Sequence, residues 1–478
     1  MTVLIVVSGC APGAVQRASA EPRAASEPEQ GLGLAGPGAP AESDATTSPG
    51  GLAPPPVVGV RPAPDEDGRE GDDGRRGGGR DGDDGAGRDD GAPRPDAGAA
   101  PDGGFEHPGI LLDQGKLDRM RSRVASGAEP WASEFDQLLG SRWGSLDVVP
   151  HPYGYVECGA HDNPDNGCRE ERFDAHAAYA HALAWYVTED SRHAEKAIEI
   201  MDAWSATIKD HTNVNEHLQA GWAGAIWPRA AEIIRYTYDG WAAPDVERFE
   251  HMLRTAYLPD VSVRNYANGN WELAMTEAAI AIAVFTDDRP AYDRARAVFQ
   301  DRAEAYVYLA SDGAAPLEAA GSPYNTLLEI VAFWRDDDFG EGATQETCRD
   351  LNHAGLGLAG MSHNLATTAI QGDNLYGTAG RRLAEAFELH ARIAVTGEVP
   401  SWLCDGSLSG ELEYLPDSAL TTLTGWYGCE MSWSRQHNAV TQLPYGSGEL
   451  LTAWEPLTHG AATAPPAGAE ASPTVCPT

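Results

Sequence analysis

Thr344 to Gly360 reads TQETCRDLNHAGLGLAG, a stretch with the period of a helix. On a helix, positions three and four apart share a face. Glu346, Arg349 and His353 then form a polar stripe that Leu356, Gly357 and Gly360 continue, with Leu351, Leu358 and Ala359 opposite. A buried helix seldom places an Arg and a His on one face without a use for them. The bland alternative is a core ion pair, Glu346 with Arg349, beside a hydrogen-bonded His353; structural ion-pair networks give the same pattern. A second stretch weighs against it. Asn268 to Met275, NGNWELAM, sets two asparagines and a tryptophan where a turn becomes a helix, ahead of an alanine-rich run.

Helical periodicity extends outward from both stretches. The spacing predicts helices over DQGKLDRMRSRV and EPWASEFDQLLG, and over 172–187, 192–208, 218–238, 244–257, 271–285, 291–309, 325–334, 344–371 and 380–395. No run of alternating strand residues stands out before about residue 400. The connections repeat: Tyr186-Val187-Thr188-Glu189-Asp190-Ser191, Phe285-Thr286-Asp287-Asp288-Arg289-Pro290, and Tyr238-Asp239-Gly240 followed by Ala242-Ala243-Pro244-Asp245. Each offers acceptor side chains or a proline to open the next helix. Short turns between long amphipathic helices make antiparallel hairpins, so the expected fold class is all-α, an array of helical hairpins. After Pro400, Trp402, Leu403, DGSLSGELEYLPDS and Trp426-Tyr427 read as loops and short irregular pieces, and a last amphipathic piece is expected to end at Trp454.

Composition separates this array from its flanks. Residues 11–104 carry Gly, Pro, Ala, Asp and Arg with almost no large apolar side chain. Such a segment cannot bury enough surface to offset its ordering entropy and is expected to be a disordered linker. A folded domain is expected over 105–460 and a disordered Ala/Pro-rich tail over 461–478. The net charge of −38 argues against nucleic acid and anionic membrane surfaces as partners. An anionic polymer would need a local arginine cluster inside this acidic shell, and arginine suits bidentate carboxylate binding.

Seven cysteines fit an oxidising compartment without fixing connectivity. Cys158 and Cys168 flank a polar loop that a disulfide would close, Cys348 and Cys404 are the next candidate pair, and Cys429 and Cys476 are left over. Cys10, in VVSGC after a short apolar run, is a lipidation candidate, with residues 1–10 as a lipoprotein signal. That signal lacks a basic start and its apolar segment is short. No stretch is long enough to span a membrane, so a membrane contact is expected only through that anchor.

Several long segments, in order, resemble the alginate lyase superfamily of polysaccharide lyases, above all its secreted bacterial members. They are VECGAHDNPDNGCREERFDAHAAYAHALAWY, KAIEIMDAWS, HLQAGWAGAIWPRAAEIIRYTYDGW, NGNWELAMTEA, QETCRDLNHAGLGLAGM, QGDNLYG and WLCDGSLSGELE, spread over His107 to Gly460. The resemblance implies an (α/α) toroid or incomplete barrel, an exported monomer, an anionic polysaccharide substrate, no cofactor and no metal. The implied reaction is β-elimination next to a uronate carboxylate. The carboxylate is neutralised so that the C5 proton becomes acidic, a base removes that proton, and an acid protonates the departing O4.

For that chemistry the candidate catalytic residues are Asn270, Arg349, His353 and Tyr376, and the candidate substrate-binding residues are Gln219, Trp222, Arg229, Asn268, Trp271 and Glu346. Asparagines donate amide hydrogen bonds to a carboxylate, although Asn268 and Asn270 would equally cap the helix beginning at Trp271. Trp222 stacks on a sugar face or simply packs. One position departs from the family pattern: some relatives carry a tyrosine base where this chain has Leu356. The base is then His353, or a tyrosine arriving from elsewhere, Tyr376 ahead of Tyr324 and Tyr427. The region from Trp426 to Ser434 also lacks an expected His/Asn/Arg-rich motif. Two rivals share the architecture: a glycoside hydrolase using Glu272, Glu346 or Asp350 as paired carboxylates, and a glycan-binding protein descended from a lyase. The acidic run Asp336–Glu341 lacks a second metal-binding segment, and His176 and His181, five apart, make a poor metal pair.

Overall fold

The structure, a computed structural model, describes residues 104–441, 452–460 and Cys476. The chain divides into two units, Met1–Arg88 and Asp89–Thr478, and every described residue belongs to the second. The expected signal with Cys10, the linker up to residue 103 and the tail, Cys476 apart, lie outside the described residues.

Two small sheets accompany the helices. β1 (Gly109–Ile110) and β2 (Leu112–Asp113) form an antiparallel pair, and β3 (Tyr155–Cys158) is flanked by β4 (Asp165–Asn166) and β5 (Asp210–Thr212). The helices are α1 (Gln114–Ala125), α2 (Trp131–Gly140), α3 (Cys168–Thr188), α4 (Ser191–Ser205), α5 (Glu216–Thr237), α6 (Ala243–Met252), α7 (Leu258–Val261), α8 (Gly269–Phe285), α9 (Arg289–Tyr306) and α10 (Leu327–Trp334). They continue with α11 (Leu351–Ile370), α12 (Tyr376–Thr396), α13 (Asp417–Gly425), α14 (Ser432–Val440) and α15 (Glu455–His459). The turn residues behave as their chemistry requires. Asp113, Asp190, Asp288 and Asp350 each accept a backbone N–H of the helix they open.

An inner layer of α3, α5, α8 and α11 packs side by side in chain order, and α4, α6, α9 and α12 back it from outside. The inner helices run parallel. Gly221 and Gly224 of α5 lie against Ala274 and Ala278 of α8, while Gly360 of α11 meets Leu273. Trp185 near the end of α3 donates to Thr237 at the end of α5 at 3.0 Å. Glycine at these contacts lets the backbones approach closely. The ring continues from α11 through α13 and α15 to α1 and α2, which return to α3, giving an (α/α) toroid. Its interior is crossed by a buried polar chain. Arg229 of α5 bonds Glu277 of α8 and reaches His363 of α11 at 3.1 Å, and His363 Nε2 meets Glu455 of α15 at 2.8 Å. Because α5 and α11 are separated in the ring by α8, that contact passes through the interior.

Several expectations need correction. The helix read from Thr344 starts at Leu351, because Asp350 is its N-cap, extended at ψ 163°, with its side chain accepting from His353 N. Glu346 and Arg349 therefore stand on the preceding turn rather than on a helix face. The helix expected to run to Tyr257 passes into a π-helical turn at Leu253–Tyr257. The region after Pro400 holds two nine-residue helices, and the last helical piece begins after Trp454 instead of ending there. The five strands, of two to four residues each, are too short to show alternation. All three cysteine pairs are bonded: Cys158–Cys168, Cys348–Cys404 and Cys429–Cys476.

Candidate active site

Parallel inner helices bring their N-terminal ends to one mouth of the ring. At the α3/α5 side, Arg172 Nη1 donates to Gln219 Oε1 at 2.8 Å, and the Arg172 guanidinium sits 5.6 Å from the Trp222 ring. At the α8/α11 side, Arg349 Nη1 donates to Asn268 Oδ1 at 3.1 Å, and Gly269 N donates to Gln345 Oε1 at 2.9 Å. Each helix N-terminus carries partial positive charge. Together with Arg349 they give the acidic chain a local site for an anion.

Arg349 is the centre of that site. Its guanidinium spans Asn268 and the Glu346 carboxylate, the latter at 3.5 Å, and its side chain is 29% exposed. Glu346 is buried; burial raises its pKa, with Arg349 and His353 acting in the opposite sense. Asn268 does not cap α8 with its side chain, so its amide is free for the arginine. His353, on the first turn of α11, is 32% exposed and its Nδ1 lies 2.7 Å from both carboxylate oxygens of Asp350. A strap from Cys404 to Glu413 lies over this helix start. Leu351 N donates to Ser409 O at 2.9 Å, Glu411 N donates to Asn352, and the Cys348–Cys404 disulfide ties the strap next to Arg349.

Tyr306 is the residue that sequence reasoning missed here. From the end of α9 its ring lies over Gly269 and its hydroxyl against Gly357, so that a Cβ at either glycine would overlap it. Burial holds the phenol well above its ordinary pKa, and the nearby Glu346 adds to this. Thr344 lies close without hydrogen-bond geometry. The Tyr306 hydroxyl, Glu346 Oε1 and Asn270 Oδ1 are buried with no hydrogen-bond partner among the described residues. A pair of glycines facing an aromatic is the only sign of this arrangement in the sequence.

The mouth thus gathers Asn268, Asn270, Trp271, Glu346, Arg349 and His353, with Gln219 and Trp222 on its other side. Two expected site residues are elsewhere. Arg229 is buried in the interior chain with Glu277 and His363. Tyr376 follows the far end of α11, which lies about 25 Å along the axis from His353 at the usual helical rise, and is buried in a stack with Tyr427. Tyr324 stacks on Phe333. Gln219 is buried with its amide nitrogen donating to Cys168 O and to Glu171. Glu272, considered for hydrolysis, is held between Arg264 and Arg302. Asp336 lies beside Cys348 and Cys404, but both sulfurs are spent on their disulfide. His176 is buried alone, while His181 pairs with His193.

With this geometry in place, comparison with known proteins is informative. A family model described as alginate lyase matches residues 147–400, just over half of the chain and all of the mouth residues named above. The chain is similar to the solved alginate lyase A1-III of Sphingomonas species A1, at 14% identity and a TM-score of 0.48 over 74% of this chain and 99% of that one. It is also similar to an alginate lyase from Bacteroides ovatus, at 10% identity and a TM-score of 0.48 over 73% and 100%. No curated protein matches the chain.

Proposed function

Since the chain belongs to the alginate lyase family and is thereby a polysaccharide lyase, we propose that it cleaves a uronate polymer of the alginate or glucuronan type by β-elimination at this mouth. The observation that carries the reading is the Arg349–Asn268 pair beside His353 where inner helices present their N-termini. Arg349 and the Asn268 amide hold the uronate carboxylate, with Asn270 behind them. As C5 loses its proton, negative charge grows on that carboxylate, and a preset guanidinium stabilises it without reorganisation. His353 Nε2 takes the C5 proton. The electron pair of the C5–H bond becomes the C4–C5 double bond as the C4–O4 bond breaks, and the imidazolium returns its proton to O4.

A single proton carrier suits a residue whose C5 hydrogen and O4 lie on the same face of the ring, as in mannuronate and glucuronate. The half-buried Trp222 and Trp271 give the polymer apolar faces on which to stack. Three disulfides suit an exported enzyme. No helix among the described residues is long and apolar enough to cross a membrane.

The test is incubation with mannuronate-rich alginate, guluronate-rich alginate and glucuronan, following the ultraviolet absorbance of the new double bond. Absorbance is expected with the first or third substrate and not in His353→Ala or Asn270→Ala. New reducing ends without absorbance would replace elimination by hydrolysis and defeat the reading.

A further inference from the structure

We propose that Asp350 is a positioning residue that fixes His353 in the tautomer a proton acceptor needs; the role in catalysis rests on the lyase reading above. Asp350 is the N-cap of α11, and its Oδ1 accepts from His353 N at 2.8 Å. Both of its carboxylate oxygens also lie 2.7 Å from His353 Nδ1. An ionised carboxylate accepts hydrogen bonds and donates none. The imidazole therefore carries its proton on Nδ1, and the lone pair is on Nε2. That nitrogen makes no hydrogen bond among the described residues, and the ring is a third exposed at the mouth.

The carboxylate is itself held in place. Asp350 N donates to Glu346 O at 3.3 Å, and Leu351 N is bonded to Ser409 of the strap. At Gly410, φ +79°, a Cβ would overlap the Asn352 side chain and crowd Asp350 Cβ, so the strap lies close against Asp350. The other charged groups around His353 are Glu346 and Arg349 on the preceding turn and Glu411 and Glu413 on the strap, which meet Asn352. None of them touches Nδ1. One aspartate thus performs two tasks, ending the turn that carries Arg349 and orienting the histidine one helical turn later.

The test is Asp350→Asn with two readouts. Asparagine keeps the N-cap and the shape, but its amide can donate to Nδ1 and move the imidazole proton to Nε2. In enzymes where histidine carries the proton, an exchange of this kind lowers kcat by up to about ten-thousandfold. The expected result is a fall in kcat of roughly a hundredfold or more with KM within about twofold. Nitrogen-15 spectra of the histidine-labelled full chain, assigned with His353→Ala, should show the proton on Nδ1 in the wild type and on Nε2 in Asp350→Asn. A wild-type His353 protonated on Nε2, or an Asp350→Asn enzyme with kcat within about threefold of wild type, would overturn the proposal. If the wild type forms no unsaturated product from any uronate polymer, the lyase reading falls, and the imidazole spectra still decide the tautomer by themselves.

Discussion

A methyl group at residue 357 would overlap the Tyr306 hydroxyl, so the glycine there is a packing requirement of the site. Gly357→Ala is expected to destabilise the chain by about 1–3 kcal/mol in urea unfolding, the range for overpacking. Tyr306→Phe should be neutral or slightly stabilising, because it removes a buried hydroxyl that has no partner. It should also recover part of the loss when combined with Gly357→Ala. A loss above about 1 kcal/mol in Tyr306→Phe alone would mean that the hydroxyl has a partner after all. At this scale Arg349, His353 and Asn268 were legible because charged or amide side chains interrupt an otherwise apolar pattern. Tyr306 was not, since an aromatic at the end of a helix reads as core. Tyr376 misled because its motif is near in sequence, while the length of α11 separates it from the mouth.

Helix α11 and the strap over its start form the element on which the site depends. The periodic pattern ran on through Glu346, but Asp350 competes for the backbone N–H groups and opens the helix later, as aspartate tends to do. The i,i+3 contact between Glu346 and Arg349 is kept in the turn, so the pairing expected on a helix face is present although the helix begins later. The Cys348–Cys404 disulfide closes 56 residues of sequence. The chain-entropy model gives such a loop about 4 kcal/mol. The double variant Cys348→Ser/Cys404→Ser should therefore unfold at lower urea and lose turnover through a displaced Arg349. Replacing Cys158 and Cys168, which close a loop of 10, should affect stability with less effect on turnover. Equal activity losses in the two variants would remove the strap from the account.

At the scale of the whole molecule, the sequence showed hairpins but not their closure. Hairpins are local, whereas the ring closes through α13 and the five-residue α15, too short to show any period and held by the Glu455–His363 contact. The same interior sets the pH response. Burial holds His176 and His181 down to about 3, and His390 and His459 down to about 4. A histidine with a folded pKa below its unfolded 6.5 contributes stability above that pH and loses it as pH falls towards the folded value. Each would lose about 2 kcal/mol by pH 5. Asp417, raised by burial to about 7 with Glu455 and Glu134 adding to the effect, works the other way and offsets about one of them. For His211, Glu171 and Asp260 outweigh the effect of burial and raise it to about 10, so its contribution is complete below 6.5 and is lost only as pH rises towards 10. The unfolding free energy from urea titrations should accordingly fall between pH 7 and pH 5, by a net amount on the order of 5 kcal/mol; a flat profile would contradict neutral buried histidines. The central claim, elimination at a mouth built around Arg349, is tested most directly by the initial rate of double-bond formation in wild type and Arg349→Ala on mannuronate-rich alginate. A rate reduced by at least about a hundredfold with an unchanged melting temperature is predicted; a rate within about threefold of wild type would contradict it.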